Sequence, residues 1–193
     1  MKMKEILVIG AGGIGSYLAE FLNKANLYQQ LEADITFYDD DFVEPKNLSY
    51  QNYDTTHLGN PKVESIEERY MFRGVEKRIK DAKDLERYDL VILAVDNMKA
   101  RQLVYEHAKD WIDLRSKGRI VTLYKKSKKN TAKYMAQFSK TKKGEESTSC
   151  QNKFELESGL VQYGNLIVAS IGLQLIVNHL RGEETIDQFI HQF

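Results

Sequence analysis

The sequence predicts an α/β fold with a doubly wound, mostly parallel sheet and a small antiparallel extension near residues 119–138. Two observations lead to this prediction. A β-branched apolar run, Ile6–Ile9, enters a cluster of glycines, and an amphipathic helix pattern over residues 14–25 follows at once. A second strand pattern over residues 33–38 then ends in the three aspartates Asp39–Asp41. A strand, a glycine turn, a helix and an acidic strand end are the opening units of a Rossmann-like nucleotide-binding domain.

The glycine turn is the strongest local indication of a ligand. Phosphate groups must approach the backbone closely at a helix N-terminus, where free N–H groups point outward, and side chains there would block them. The alternative is a turn that only packs the strand on the helix. For phosphate binding, the candidate residues are Gly10, Gly12, Gly13 and Gly15.

The composition limits the classes of protein to which the chain could belong. Its 193 residues fit a single domain, residues 1–193, with a substantial core. Basic and acidic residues balance at 28 each, so the net charge favours neither a nucleic-acid nor a membrane partner. One cysteine, Cys150, excludes an internal disulfide and does not suffice for a zinc site. We therefore expect a soluble, cytoplasmic protein without zinc.

The acidic strand end and the polar stretch after it extend the candidate site. In nucleotide-binding domains of this kind a carboxylate at the position of Asp39 hydrogen-bonds the ribose hydroxyls, although a solvated acidic loop is the alternative. A long polar stretch precedes Pro61, and such loops are usually functional. Pro61 is expected to begin a helix over residues 61–72. Lys62, in its first turn, is either a surface lysine or a cation that meets phosphate.

The second half of the chain is predicted from periodicity. The patterns indicate a strand over 84–95, a helix over 98–114, strands over 119–124 and 132–138 joined by a turn, a helix over 159–180 and a final helical turn over 185–193. We expect Trp111 in the core and His107 either packed or at the surface. The lysine-rich stretch 125–143 could contact nucleic acid, but few aromatic residues accompany it. The alternation of residues favours a solvated strand face instead, and the same positive edge could steer an acidic protein partner or a substrate tail.

Several motifs occur in the order found in one family of adenylating enzymes. They are Gly10-x-Gly12-Gly13-x-Gly15, Asp39-x-Asp41-x-Val43, Asn47-Leu48-x-x-Gln51, Gly59-x-Pro61-Lys62, the strand end Asp96-Asn97 with Arg101 after it, and the apolar stretch Gly164–Leu180. With these motifs the chain resembles the ThiF/MoeB/HesA superfamily, the adenylating domain related to ubiquitin-activating enzymes, in a minimal form. The resemblance spans nearly the whole chain.

The resemblance implies a reaction. The C-terminal carboxylate of a small ubiquitin-like (β-grasp) protein or peptide attacks the α-phosphate of ATP, giving an acyl-adenylate and pyrophosphate. General chemistry agrees, because phosphoryl displacement depends on positioning and charge neutralisation. Mg²⁺ suits such a site because it binds one or two carboxylates together with phosphate oxygens. The family also implies a homodimer.

The family implies a role for each matching residue. Asp39 would bind the ribose, and Asn47 and Lys62 would bind the phosphates. Asp96 would hold Mg²⁺ near the α- and β-phosphates. The remaining residues of the nucleotide site would be Asp41, Tyr50, Gln51 and Asn97.

The chain also departs from the family pattern. Tyr50 stands where the family has an arginine that contacts the triphosphate, and a tyrosine hydroxyl cannot replace a bidentate guanidinium. Lys46, Arg73 or an arginine of a partner subunit could take its place. The zinc-binding cysteine pairs are absent. Cys150 lies in residues 139–158, the expected crossover loop above the substrate tail, where it is either a thiol that accepts the acyl group or an incidental cysteine.

Three functions follow from these features. The first is an adenylyltransferase that uses ATP and Mg²⁺. The second is a catalytically weakened nucleotide-binding or protein-interaction module of the same family. The third is an NAD-dependent oxidoreductase, against which the long stretch 47–65 and the lack of a convincing catalytic base both argue. We expect the first.

Overall fold

The computed structural model of the chain describes residues 3–29, 31–138 and 163–193. Its strands are β1 (Lys4–Ile9), β2 (Ala33–Asp39), β3 (Arg73–Glu76), β4 (Leu90–Leu93), β5 (Trp111–Lys117), β6 (Ile120–Lys125) and β7 (Gln188–Gln192). Its helices are α1 (Gly15–Gln29), α2 (Lys62–Tyr70), α3 (Met98–His107), α4 (Lys128–Phe138) and α5 (Gly164–Leu180), with short 3₁₀ helices at Pro45–Ser49, Thr55–His57 and Ala82–Asp84.

These strands form one sheet in the order β3-β2-β1-β4-β5-β6-β7. The first five strands along the chain run parallel, and β6 and β7 complete the sheet in antiparallel pairing. Ile6 of β1 pairs with Ile35 on one side and with Leu90 on the other. The predicted fold class, a doubly wound and mostly parallel sheet with an antiparallel extension, is confirmed.

The side chains of the sheet divide the core into two layers, because successive residues of a strand point to opposite faces. On one face Ile6 and Val8 pack in a cluster with residues of α1, α2 and α5. On the other face Leu7 packs in a cluster with residues of α3. Trp111 belongs to this second layer, where it is fully buried and stacks on Tyr105 with the ring centroids 4.1 Å apart. Trp111 is therefore a core residue, as expected.

The first half of the chain follows the predicted elements with shifted ends. Helix α2 begins at Lys62, with Pro61 as its N-cap residue, and it ends where Met71 takes a left-handed conformation with φ 59°. The predicted strand over 84–95 is too long. Residues 82–84 form a 3₁₀ helix, because the Asp81 side chain accepts a hydrogen bond from the Lys83 N–H, and β4 is limited to Leu90–Leu93. Strand β3 is not among the predicted elements.

The predicted helix over 98–114 is wrong in its second half. Helix α3 ends at His107, which is exposed, and Trp111 begins β5. The Asp110 side chain accepts a hydrogen bond from the Trp111 N–H at 2.8 Å, outside any helix. Strand β5 then pairs with β4 in parallel and with β6 in antiparallel register. This pairing stabilises an extended backbone despite a spacing of apolar residues that also suits a helix.

Two later predictions are also wrong. Residues 132–138 belong to helix α4 rather than a strand, and Ser127 begins the helix by accepting hydrogen bonds from Asn130 N (through its hydroxyl, 3.2 Å) and Thr131 N (through its carbonyl, 2.9 Å). The segment 185–193 contains β7, Gln188–Gln192, rather than a helical turn, because these five residues pair with β6 in antiparallel register. The antiparallel extension is therefore β5, β6 and β7.

Some predictions fall on parts of the chain outside the described residues. These are the crossover loop over 139–158 with Cys150, the first four residues (159–162) of the predicted helix over 159–180, and residues 139–143 of the lysine-rich stretch. Among the described residues, no helix combines the length and apolar character needed to cross a membrane.

Candidate functional site

A cavity of about 750 Å³ opens at the carboxyl ends of β1, β2 and β4. Ligands of open α/β sheets bind at this edge. Nearly all the residues implied by the family resemblance line this cavity: Gly10, Gly12, Gly13, Asp39, Asp41, Asn47, Tyr50, Gln51, Lys62, Asp96 and Asn97. Gly15 does not line it.

The glycines of the turn have two different roles. Gly10 has φ +102°, and a Cβ added to it would lie 2.6 Å from the Ala94 carbonyl oxygen. A Cβ on Gly15 would lie 1.9 Å from the Gly10 carbonyl oxygen. Glycine at position 10 therefore lets the turn pack against Ala94, directly after β4. Glycine at position 15 lets the start of α1 approach the Gly10 carbonyl closely. Gly12 and Gly13 leave the backbone accessible to the cavity, which is what a phosphate requires.

Asp39, the last residue of β2, is held beside the glycine turn. Its carboxylate accepts hydrogen bonds from Ala11 N at 2.6 Å and from Asp41 N at 2.8 Å. Burial raises the pKa of the Asp39 carboxyl, while Lys62 and the two N–H donors act in the opposite direction. The side chain therefore ties the turn to β2 and presents a fixed acceptor to the cavity.

Lys62 is a buried cation, only 5% exposed. Its Nζ lies 3.0 Å from Asp41 Oδ2, and its backbone N–H donates to the Asp41 carbonyl at 3.0 Å. An isolated β-bridge between Phe42 and Pro61 joins the two ends of the loop that precedes α2. The ammonium group is thus anchored at the cavity, in the first turn of α2.

The loop between β2 and α2 is held by polar contacts rather than by a large apolar core. Asn47 is buried, and its Oδ1 accepts a hydrogen bond from Glu44 N at 2.8 Å. Among the described residues its amide nitrogen has no hydrogen-bond partner, so the N–H₂ group is available to a ligand. Tyr53 donates from its hydroxyl to the Ala11 carbonyl at 2.7 Å, and burial raises its pKa, so it stays a donor. This contact joins the loop to the glycine turn.

Asp96 and Asn97 follow β4 and differ in their surroundings. Asn97 is the N-cap of α3, since its Oδ1 accepts from Lys99 N at 2.9 Å and from Ala100 N at 3.1 Å. The Asp96 carboxylate is exposed at the cavity and makes no hydrogen bond or ion pair with the described parts of the chain. A carboxylate with free oxygens beside a phosphate site suits Mg²⁺, which takes oxygen ligands from protein and phosphate together.

Helix α5 contacts two segments of the cavity wall through Asn165, which does not itself line the cavity and which the sequence analysis did not single out. Its amide nitrogen donates to the Gly13 carbonyl at 3.0 Å and to the Tyr50 carbonyl at 2.7 Å. The Tyr50 ring packs on the turn, with its Cδ2 3.5 Å from the place of a Gly13 Cβ. Gln51, which is buried at the cavity wall, carries an amide oxygen that has no hydrogen-bond partner among the residues that the structure describes. No local sequence signal indicates the contacts of Asn165.

Several cations surround the cavity, and most are paired. Lys46 pairs with Glu44, Lys77 with Asp84, and Arg78 with Asp40. Within the described residues, the lining cations without an ion pair are Lys80 and Lys99. Of the suggested replacements for the family arginine, Lys46 lines the cavity and Arg73 does not.

Solved structures of similar fold cover the whole chain. E. coli MccB with ATP has a TM-score of 0.68 and 16% identity, over 100% of this chain and 64% of MccB. MccB with selenomethionine-labelled MccA has a TM-score of 0.71 and 14% identity, over 100% of this chain and 61% of MccB. Selenomethionine-labelled PaaA has a TM-score of 0.68 and 16% identity, over 100% of this chain and 61% of PaaA. At such low identities the structural similarity shows the fold alone, and this chain spans less than two thirds of each of those proteins.

The sequence comparisons agree with the fold. "Adenylyltransferase and sulfurtransferase UBA4" of Yarrowia lipolytica (strain CLIB 122 / E 150) is 44% identical over 71 residues, which are 35% of this chain and 16% of UBA4. The model of the ThiF family matches residues 1–193. The resemblance carried by the glycine, aspartate and lysine motifs is thereby confirmed: the chain belongs to the ThiF family.

Proposed function

We propose that this protein is an ATP- and Mg²⁺-dependent adenylyltransferase, which activates the C-terminal carboxylate of a small ubiquitin-like protein or a peptide. One observation carries the proposal. A fixed acceptor (Asp39), a buried cation (Lys62) and a carboxylate that has no partner among the described residues (Asp96) surround one glycine turn. A ribose, a phosphate and a metal ion require these three kinds of group.

The proposed reaction is a displacement at phosphorus. A carboxylate oxygen of the substrate forms a bond to the α-phosphorus of ATP, and the bond from that phosphorus to the bridging oxygen breaks. Pyrophosphate leaves with the bonding electrons, and the product is an acyl-adenylate. Such a step depends on orientation and on neutralising charge, with little covalent work for the protein.

The residues at the cavity would share this work. Asp39 would orient the ribose, while Lys62 and the amide N–H₂ of Asn47 would bind phosphate oxygens. Bound Mg²⁺ would neutralise phosphate charge, and Asp96 is the residue that would hold it. Asn97 would act mainly by capping α3, which fixes the end of the loop that carries Asp96.

Known relatives support the substrate and cofactor assignments. MccB has been solved with ATP and, separately, with MccA. UBA4 is named an adenylyltransferase. We extend the use of ATP and of a protein or peptide substrate to this chain. A homodimer in the cytoplasm, formed from one domain per chain, completes the proposal.

Exchange of labelled pyrophosphate into ATP tests the proposal. We expect exchange when a synthetic peptide ending in Gly-Gly with a free carboxylate is added, and none with the same peptide amidated. Asp96→Asn should abolish the exchange, whereas Asp34→Asn, an exposed carboxylate of β2 outside the cavity lining, should not. ATP binding without exchange for any free-carboxylate peptide would overturn the enzymatic assignment.

A second function is favoured by one residue, Tyr50, which supplies no charge where the family has an arginine. In that case the protein is a nucleotide-binding or protein-interaction module with weakened chemistry. Tyr50→Arg distinguishes the two. A weakened enzyme gains exchange activity by about tenfold or more when the guanidinium is restored, since a single hydrogen-bond donor aimed at the charge of a transition state contributes about 10²–10³ to kcat in other enzymes. An enzyme adapted to tyrosine gains nothing.

A further inference from the structure

Arg101 is a buried arginine whose side chain contacts the loop that carries Asp96. It lies in the second turn of α3 and does not line the cavity, and its side chain is 9% exposed. Its Nη2 donates a hydrogen bond to the Val95 carbonyl, directly before Asp96. Its Nε donates to Asp113 Oδ1 at 3.3 Å. The guanidinium therefore bridges β5 and the Asp96 loop.

Asp113, the partner of Arg101, is the centre of a buried polar network. Its side chain is fully buried on β5. Arg115 donates to Asp113 Oδ2 from Nε at 2.7 Å, and the Tyr105 hydroxyl donates to the same oxygen. Both arginines thus neutralise one carboxylate. Arg101, unlike Arg115, has a hydrogen bond to the Asp96 loop.

The loop needs such an anchor because β4 ends at Leu93. Ala94 still donates to the Ile9 carbonyl at 2.9 Å, but beyond it the ladder of the sheet stops. From there to the cap at Asn97 the backbone has no strand neighbour in the part of the chain that the structure describes, and Arg101 supplies the bond to Val95. A planar guanidinium can reach a carboxylate and a carbonyl together, whereas an ammonium group offers a single point of charge.

We propose that Arg101 is a positioning residue that sets the Asp96 carboxylate in place for Mg²⁺-bound ATP. The inference rests on the proposed function, in which Asp96 holds the metal. Taking two arginines and an aspartate out of water is costly, and such a network is weak evidence of stability alone. Replacing a residue that orients a metal ligand without contacting the metal itself typically lowers metal affinity or activity by about 10- to 100-fold.

The test compares Arg101→Met with Arg115→Met, because both variants remove one cation from Asp113. The first readout is hydrogen–deuterium exchange of the amides of residues 95–97, which does not depend on activity. The second is the gain in ATP affinity on adding Mg²⁺, measured by calorimetry. We expect Arg101→Met to speed amide exchange in this loop and to reduce the Mg²⁺-dependent gain by about tenfold or more. Arg115→Met should leave both at wild-type values.

Two outcomes contradict the proposal. Equal effects of the two variants would show that the network only supports the fold, and an unchanged loop in Arg101→Met would show that the Val95 contact positions nothing. If Arg101→Met does not fold, Arg101→Lys takes its place, since it keeps a cation beside Asp113 but lacks the fork that reaches both partners. If Mg²⁺ does not raise the ATP affinity of the wild-type protein, the proposed function is contradicted. Hydrogen–deuterium exchange of the amides of residues 95–97 would still decide whether Arg101 holds this loop in place.

Discussion

Lys62 combines two features that are each unfavourable for a lysine. It is buried, and it lies in the first turn of α2, where the helix dipole disfavours a cation. Asp41 offsets part of this cost, but its side chain is 61% exposed, so the ion pair alone is weak. A phosphate between Lys62 and the glycine turn would supply a stronger partner.

The first prediction concerns this lysine. Lys62→Met should weaken ATP binding by about 10- to 100-fold, because a hydrogen bond to a charged group contributes about 1.5–3 kcal/mol. Calorimetry measures the change. Lys24→Met, which removes an exposed lysine paired with Glu20 on α1, is the matched control. Equal ATP affinity in wild type and Lys62→Met would show that the ammonium group does not meet phosphate.

The second prediction is a pH dependence set by Asp39. Burial raises its folded-state pKa above the ordinary value of 3.8. Its contribution to stability is therefore fully present below pH 3.8 and is lost as the pH rises through the folded-state pKa. The quantity to follow is the free energy of unfolding of wild type minus that of Asp39→Asn. This difference should fall as the pH rises from 3.8 through the folded-state pKa of Asp39, and it should stay constant at higher pH. Denaturant titrations at several pH values measure it, and a difference that rises with pH would contradict the assignment.

At the scale of elements, α5 is the part that fastens the cavity wall. Its Asn165 supplies both hydrogens of one amide to carbonyls of two other segments, the glycine turn and the loop that carries Tyr50. The helix also packs on α1 and β5. The distance between Tyr50 and the turn is thus set by a helix that contributes no residue to the cavity lining.

The third prediction follows from this contact. Asn165→Ala should lower the free energy of unfolding by about 1–3 kcal/mol, since the Gly13 and Tyr50 carbonyls lose their shared donor at a buried position. Chemical denaturation measures the loss. Ser170→Ala on the same helix, an exposed position whose hydroxyl donates to the Ile167 carbonyl, should change stability by far less. Equal losses of unfolding free energy in Asn165→Ala and Ser170→Ala would show that the Asn165 amide does not stabilise the cavity wall.

The elements near the N-terminus could be predicted because their signals are local. The run Ile6–Ile9, the glycines and the pattern after them specify β1, the turn and α1 without help from distant residues. Strand β3 was missed because it is four residues long and none of them is fully buried. Strands β5 and β7 were misassigned because pairing with β6 decides their conformation, and pairing partners cannot be read from periodicity.

The same division applies to the cavity. Residues that belong to short motifs, such as Asp39 and Lys62, could be predicted to lie together, since the carboxyl ends of parallel strands share one edge of the sheet. Asn165 and Arg101 act through backbone carbonyls of other segments. The sequence contains no signal for such contacts, because any carbonyl in the chain is an equal acceptor.

At the scale of the whole molecule, a ligand that joins β1, β2, α2 and β4 should stabilise the fold. Binding to the folded state alone adds about 2.7 kcal/mol when the ligand is at 100 times its Kd. The fourth prediction is that ATP with Mg²⁺ raises the free energy of unfolding by this amount. Urea titrations with and without ligand measure the effect. NAD at equal concentration is the control, and an equal effect of NAD would favour the oxidoreductase.

The contact between Asn165 and Gly13 also bears on the order in which the protein is made. The two residues are 152 positions apart, so the ribosome completes the glycine turn long before it reaches α5. Domains fold as units during synthesis, with their N-terminal parts emerging first. A nascent chain that has released β1, α1 and β2 holds the turn and Asp39 but lacks the helix that fastens Tyr50 beside them. If the cavity binds ATP as proposed, we expect full affinity only after α5 has left the ribosome.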